Sequence, residues 1–440
     1  MNGRREDEEG LATAWWMVAV LFALYVLSWV DRLILSMLVT PIKAHLLLSD
    51  VQVSMVTSTS FAIFYAIFGL PLGWASDRFS RRWIIFGGVM IWAIATTACG
   101  FAESYEALLA GRIMVGVGEA ALLPAAYSLI ADAFPTRLLT RATSTFQMAG
   151  KVGSATAFAL GGIAIAFAAA HTGIHIPFHG PAQPWQLVMM MVGLPGVIIG
   201  LLVFTFPDPG RRGIPRRAAT AKGEIGTFVR AHWKLLGLML IGTSCLAMCG
   251  YSMTNWVPAY IERHFGWKPV QYGLALSLMN IVSAVSLVAN GWIVDRLFAR
   301  GMQDAHLRFY GWLIIALLPV VAYMFFATNV HVFLACYCVA QFITVPFMVY
   351  VSSVMGLIAP PTIRARLLAF FLFVFTILGL GAGPAIVAAL TQYVFASEAA
   401  LGQSLAVVVI ACTIIAFISF RLALRYLGAA VASRKEVPCP

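Results

Sequence analysis

Apolar runs of 20 or more residues recur from one end of this chain to the other, and nothing else constrains its fold as strongly. A helix of about 20 apolar residues crosses the hydrocarbon core of a bilayer. Inside that layer the backbone must satisfy its own hydrogen bonds, which leaves only helices or closed barrels. The runs are continuous, not short and alternating, so helices are expected and a β-barrel is not. With 61% hydrophobic and only 11% charged residues, the 440-residue chain also lacks the polar surface a soluble globule of this size needs. The reading is an all-α membrane protein with twelve spans, at roughly 14–40, 52–74, 83–101, 106–131, 142–170, 184–206, 234–260, 268–294, 308–328, 331–358, 366–393 and 399–426. The first run is too long and too lightly flanked by basic residues for a cleaved signal peptide, so it is read as span 1.

A net charge of +11 invites a nucleic-acid reading, but the distribution of charge argues against one. With both termini inside, the inner segments hold 23 of the 29 Lys and Arg. The outer loops hold only Lys43, Arg263 and Lys268, and three more lie within spans. Such asymmetry places both termini in the cytoplasm, here of a cell inner membrane, and requires an even number of spans. Cys99, Cys245, Cys249, Cys336, Cys338 and Cys412 fall in apolar spans and Cys439 near the end, so no disulfide framework is expected. A monomer is expected.

The longest polar linker, 207–233, lies near the midpoint and separates six spans from six, giving halves 1–206 and 234–440. The halves also repeat a motif. "GWASDR" at 73–78 and "GWIVDR" at 291–296 carry Gly73, Asp77 and Arg78 in register with Gly291, Asp295 and Arg296. Each copy falls at the inner end of the second span of its half. Gly permits close helix approach, Asp accepts from a helix N-terminus, and basic residues, Arg81 and Arg82 included, anchor the loop at the inner surface. Together they suit a latch that opens when the halves rock, and a six-plus-six duplication is a recurring transporter design.

Five charges interrupt the spans, all within the first 160 residues: Asp31, Arg32, Arg112, Glu119 and Lys151. Each costs at least ~2.5–3.5 kcal/mol at bilayer depth. Taking span 1 to end near Thr40, Asp31 lies ~13 Å below the outer surface; Arg112 and Glu119, on span 4, lie at ~10 and ~21 Å. Arg112 and Glu119 share a helix face, so Asp31 can pair with Arg112 while Glu119 stays accessible from below. Arg32 points about 100° away and need not share those partners. Burial favours a neutral carboxyl and a neighbouring guanidinium favours a charged one, so exchanging Arg partners changes proton affinity. Asp31 and Glu119 are the proton-coupling candidates, and Arg32, Arg112 and Lys151 are charge partners or anionic-headgroup ligands. A permanent ion-pair network that only fixes packing is the alternative. Lys151 can equally snorkel or pair with Glu119.

"GKVGS" around Lys151 is not a phosphate loop, because Thr145 stands where the first Gly is required and Val152 follows the Lys. ATP drive is therefore unsupported, and no cofactor or metal is expected. In the second half, Tyr251, Asn255, Asn280, Gln341 and Tyr350 are neutral cavity-lining candidates, with core packing as the competing account of each. "LGLGAGP" at 378–384 offers Gly379 and Gly383 for close packing and Pro384 for a bend. His171, His175 and His179 recur every four residues, but Gly173 and Pro177 argue for a solvated loop and not a metal-binding helix. Neither Gly-x-Ser-x-Gly nor His-Glu-x-x-His occurs, so no enzyme is read here.

"GWASDRFSRR" resembles the inner-loop signature of the major facilitator superfamily, Gly-x-x-x-Asp-Arg-x-Gly-Arg-Arg, with Ser80 at the usual second Gly. Within it, "VDR" at 30–32, "GRIMVGVGEAALLPAAYSLIADAFP" at 111–135 and "VDRLFARGMQDAHLR" at 294–308 are similar to the spinster family. Anion:cation symporters, which share an Asp-Arg in helix 1 and a Glu-Ala pair in helix 4, are the nearest competitor. The resemblance implies a secondary transporter with rocker-switch alternating access, with Asp31, Arg32, Arg112 and Glu119 as the polar core of the first half. Spinster relatives move sphingolipids and lysophospholipids, some with protons. The expected substrate is thus amphipathic, or a small organic anion on the competing reading, with a proton gradient as the drive.

Overall fold

The computed structural model describes residues 2–171, 173–176, 180–211, 221–302 and 304–435. Among these, eleven helices are long and apolar enough to cross a membrane. They are spans 1 to 9, Gly10–Met37, Asp50–Ser76, Arg81–Cys99, Tyr105–Ala133, Arg137–Ala170, Pro184–Thr205, Ile225–Phe265, Pro269–Ala299 and Ala305–Met324, with spans 11 and 12 at Arg366–Val394 and Glu398–Gly428. The tenth expected span is broken into two helices, Val330–Thr344 and Phe347–Ile358. Pro346 lies in the break: it has no N–H to donate and its ring clashes with the carbonyl four residues back. Large apolar side chains such as Leu70, Ile198 and Val288 stand more than two-thirds exposed, as lipid-facing positions must.

Two boundaries differ from expectation for visible reasons. Span 1 ends at Met37, and a separate short helix, Val39–Leu46, follows it. Asp31 therefore lies only six residues, ~9 Å, from that end. The polar linker is helical from Ala221 onward and runs into span 7 through a bend at His232 (φ −117°, ψ 18°). Residues 212–220 of the linker lie outside the described set, as do His179 and Cys439. His171 and His175 are exposed on the loop after span 5, where a two-residue antiparallel pairing sets His175 opposite Pro181. The six described cysteines named above are free thiols.

Contacts divide the chain into two compact units, Met1–Gly213 with Pro258–Ile281, and Ile214–Val257 with Val282–Pro440. In the first, helices meet where side chains are absent. A Cβ on Gly118 would lie 2.6 Å from the carbonyl oxygen of Gly88, and one on Gly153 would lie 2.7 Å from Trp29 Cβ. Such small-residue contacts supply the dispersion that holds helices together in lipid. In the second, Gly379 and Gly383 bring span 11 against Ala247, Met248 and Ser252 of span 7, and a π-helical turn, Thr376–Ala382, precedes Pro384. That is the close packing expected of "LGLGAGP".

Candidate functional site

Span 4 bends just after Glu119. Its first segment is Tyr105–Glu119 and its second is Leu122–Ala133. Pro124 supplies the cause: it cannot donate to Ala120, four residues back, so the ladder opens there and Ala121 N–H turns to Gly118 O at 3.3 Å. Span 2 carries a complementary irregularity, a π-helical turn at Met55–Thr59. Within reach of that turn, Arg112 Nε donates to the Val56 carbonyl at 3.4 Å.

Four of the five span charges meet between these elements as two crossed ion pairs. Arg112 Nη1 lies 3.4 Å from Asp31 Oδ1, and Arg32 Nε lies 2.5 Å from Glu119 Oε2. Neighbours on span 1 thus pair with residues seven apart on span 4. The Asp31–Arg112 pair matches the sequence expectation. The accessible Glu119 does not: its carboxylate is 1% exposed and held by Arg32. Because Arg32 projects about 100° away from Asp31, it reaches a second partner instead of competing for the first.

Hydroxyls and aromatic rings that the charge pattern gave no sign of complete the network. Thr96 of span 3 donates to Asp31 Oδ2 at 2.8 Å, and Ser28, one turn before Arg32, donates to Glu119 Oε2 at 2.6 Å. The Arg32 guanidinium lies 4.8 Å from the ring centres of both Phe61 and Tyr65, and Phe61 also faces Arg112 at 5.8 Å. Cation–π contact of this kind gains when water is excluded. Within the two ion pairs, Glu119 Oε1 and Arg112 Nη2 are buried and have no partner among the described residues. One is an acceptor and the other a donor, so the site retains capacity for a proton or a ligand. Lys151 lies on span 5 between Gly150 and Gly153, the two glycines that bring that helix against Trp29.

The loop motif is built differently from the expectation. Asp77, Arg78, Asp295 and Arg296 are exposed. A Cβ on Gly73 would sit an ordinary 3.7 Å from Pro124, and one on Gly291 would meet open space, so neither glycine marks a close approach. The buried member is Arg81, which pairs with Asp132 at the end of span 4 and with Asp208 after span 6, and also donates to Gly210 O at 3.0 Å. Arg82 donates to Phe204 O at 3.2 Å and Arg211 to Phe79 O at 3.1 Å. The loop between spans 2 and 3 is thereby tied to the segment following span 6. The duplication does extend to contacts: Arg78 stacks over Trp74 at 4.2 Å and Arg296 over Trp292 at 3.4 Å.

Among the second-half candidates, Tyr350 is a core residue and not a cavity one. It is 2% exposed, stacks on Tyr310 at 3.9 Å and donates to Asn290 Oδ1 at 2.9 Å. A phenol inside an apolar helix needs one polar partner, and Asn290 supplies it. Asn280 bonds back to Leu276 O at 3.0 Å, Gln341 is buried, and Asn255 is buried with Nδ2 unpartnered among the described residues. Tyr251 is half-buried beside Gly379.

A chain of apolar helices long enough to cross a bilayer, with charge pairs buried among them, has the architecture of an integral membrane protein. The chain belongs to the Major Facilitator Superfamily, whose profile matches residues 21–304. It is 28% identical over 303 residues to an MFS-type efflux pump of Mycolicibacterium smegmatis, covering 67% of this chain and 65% of the pump. It is 28% identical to the cis,cis-muconate transport protein of Acinetobacter baylyi, covering 65% of this chain and 68% of that protein. Protein spinster of Drosophila melanogaster matches at 25% identity over 58% of this chain and 40% of its own length. The chain thus spans less than two thirds of the pump and less than half of Protein spinster. Its fold is that of a bacterial homolog to the human lysosomal transporter Spinster, with a TM-score of 0.78 and 21% identity over 97% of this chain and 99% of that one.

Proposed function

We propose that this chain is a secondary transporter that couples proton movement to rocker-switch transport of an amphipathic, lipid-like substrate of lysophospholipid or sphingoid type. The observation that carries the reading is the pair of crossed ion pairs with one acceptor and one donor left open, Glu119 Oε1 and Arg112 Nη2. As drawn, two carboxylates balance two guanidiniums. A proton on Glu119 weakens its hold on Arg32 and leaves the site one positive charge in excess, which an anionic head then satisfies. Lys151, on the neighbouring span, adds a further positive charge for that head. An apolar groove of about 760 Å³ on spans 1, 5 and 6, lined by Phe22, Val26, Leu160, Phe167 and Met191 among others, suits an acyl tail. The proton gradient is the drive, the chain lies in the inner membrane with both termini cytoplasmic, and no cofactor is needed.

Symport of a small organic anion is the second reading, favoured by the match to the muconate transport protein. The same guanidiniums would bind a carboxylate, and the groove would play no part. Thermal unfolding in detergent separates the two. A lysophospholipid or a phosphorylated sphingoid base raises the midpoint on the first reading, and muconate or a hexuronate leaves it unchanged. The opposite pattern replaces the first reading with the second.

A further inference from the structure

Span 2 carries a stripe of polar and aromatic residues whose first three members, Asp50, Ser54 and Thr57, the site described above does not use. Asp50, Ser54, Thr57, Phe61 and Tyr65 follow one another at spacings of four, three, four and four, which places them along one face of the helix. The far end of the stripe is the aromatic pair that grips Arg32. The near end is Asp50, 4% exposed, in the first turn of a helix capped by Ser49 and Gln52. Asp50 is held by Lys43 at 2.6 Å and by Arg263 of span 7 at 3.8 Å, both within the first unit.

Two hydroxyls between these ends, like those of Ser60, Ser244 and Ser252, are buried with no partner among the described residues. Ser58 bonds back to the carbonyl four residues earlier, at Ser54 O, as do Thr97 to Ala93 O, Thr243 to Met239 O and Thr391 to Val387 O. That is how a hydroxyl in a helix ordinarily satisfies itself. Ser54 Oγ and Thr57 Oγ1 do not, and among the described residues each is buried with no partner. Thr57 adjoins Val56, whose carbonyl accepts from Arg112, so the stripe delivers these hydroxyls to the level of the Asp31–Arg112 pair. A buried hydroxyl without a partner calls for water, an ion or a chemical role.

We propose that Asp50, Ser54 and Thr57 form a proton relay to Asp31 from the end of span 2 that the charge asymmetry places outside. This rests on the proton-coupled reading. One proton from outside water binds the Asp50 carboxylate and loosens its hold on Lys43 and Arg263. Ser54 and Thr57 pass the charge inward, each taking a proton on a lone pair and releasing its own. Along span 2 the rise is roughly 6 Å from Asp50 to Ser54 and roughly 4.5 Å from Ser54 to Thr57, gaps that one bridging water closes. The proton arrives on Asp31, frees Arg112, and leaves the hydroxyls as they began. Around Asp31 the facing groups are Arg112 and Glu119 of span 4, Arg32 beside it, and Thr96 and Cys99 of span 3.

The test needs no substrate. Protein reconstituted in phosphatidylethanolamine–phosphatidylglycerol vesicles is given an external acid step, and carboxyl protonation is followed by time-resolved infrared absorption. The band missing from Asp31→Asn identifies Asp31. Thr57→Val, which keeps the shape and removes the hydroxyl, should slow that band about tenfold. Ser54→Ala should act in the same direction, with unfolding midpoints unchanged in both. An Asp31 band as fast in both variants as in the parent overturns the relay and leaves the proton-coupled reading standing. A parent protein with no Asp31 band overturns both.

Discussion

Arg112 touches Asp31 with one guanidinium nitrogen, at 3.4 Å, and leaves another, Nη2, buried and unpartnered among the described residues. Arg32 and Glu119 meet more tightly, at 2.5 Å, yet there the open valence is on the acid, at Oε1. The two pairs are thus complementary halves of one site, one able to take a further acceptor and the other a proton.

Removing Arg32 alone leaves Glu119 buried against Ser28 with no countercharge. Arg32→Ala should therefore destabilise the protein by ~3–5 kcal/mol, the usual cost of breaking one side of a buried pair. Adding Glu119→Gln should recover most of that loss. Unfolding midpoints of the single and double variants check it, and a double variant no more stable than the single contradicts it.

Gly118 precedes Glu119 and meets backbone atoms on span 3, Gly88 O at 2.6 Å and Trp92 N at 2.7 Å from an added Cβ. Backbone cannot swing aside as a long side chain would. Gly118→Ala should cost ~1–3 kcal/mol through overpacking, whereas Gly87→Ala, where an added Cβ meets nothing within 4 Å, should be near neutral. Thermal unfolding of the two variants makes the comparison.

Arg81 is the buried member of its loop, and Arg78 is exposed on Trp74. Arg81→Gln should lose ~1.5–3 kcal/mol of charge-assisted hydrogen bonding to Asp132 and Asp208. Arg78→Ala should lose at most ~0.5–1 kcal/mol. Equal midpoints for the two would show that the loop is not tied through Arg81.

Much of this was legible in the sequence because hydropathy and charge act at fixed periods. The spans follow from apolar length, and the Asp31–Arg112 pair follows from depth along two helices. The Arg32–Glu119 pair is harder to read, because a 100° offset says that Arg32 need not share the partners of Asp31 but not which acid it reaches. Ser28 and Thr96 were not legible as site residues, since a hydroxyl in a span most often serves its own helix. Tyr350 shows the converse difficulty. A Tyr in an apolar run looks alike whether it faces a cavity or, as here, Asn290.

Tyr350→Phe follows from that placement. The change should cost ~0.5–1.5 kcal/mol for one lost hydrogen bond and leave the KM for transport unaltered. A raised KM at full stability would return Tyr350 to the substrate path.

The central claim is that Asp31 and Glu119 carry the coupled proton. The most direct measurement is uptake of a radiolabelled lysophospholipid into vesicles holding the parent protein, Asp31→Asn or Glu119→Gln, with and without a pH gradient. The account predicts that the gradient accelerates uptake by the parent alone, while exchange at equal pH persists in both folded variants. Gradient-driven uptake at the parent's rate in both variants would contradict it.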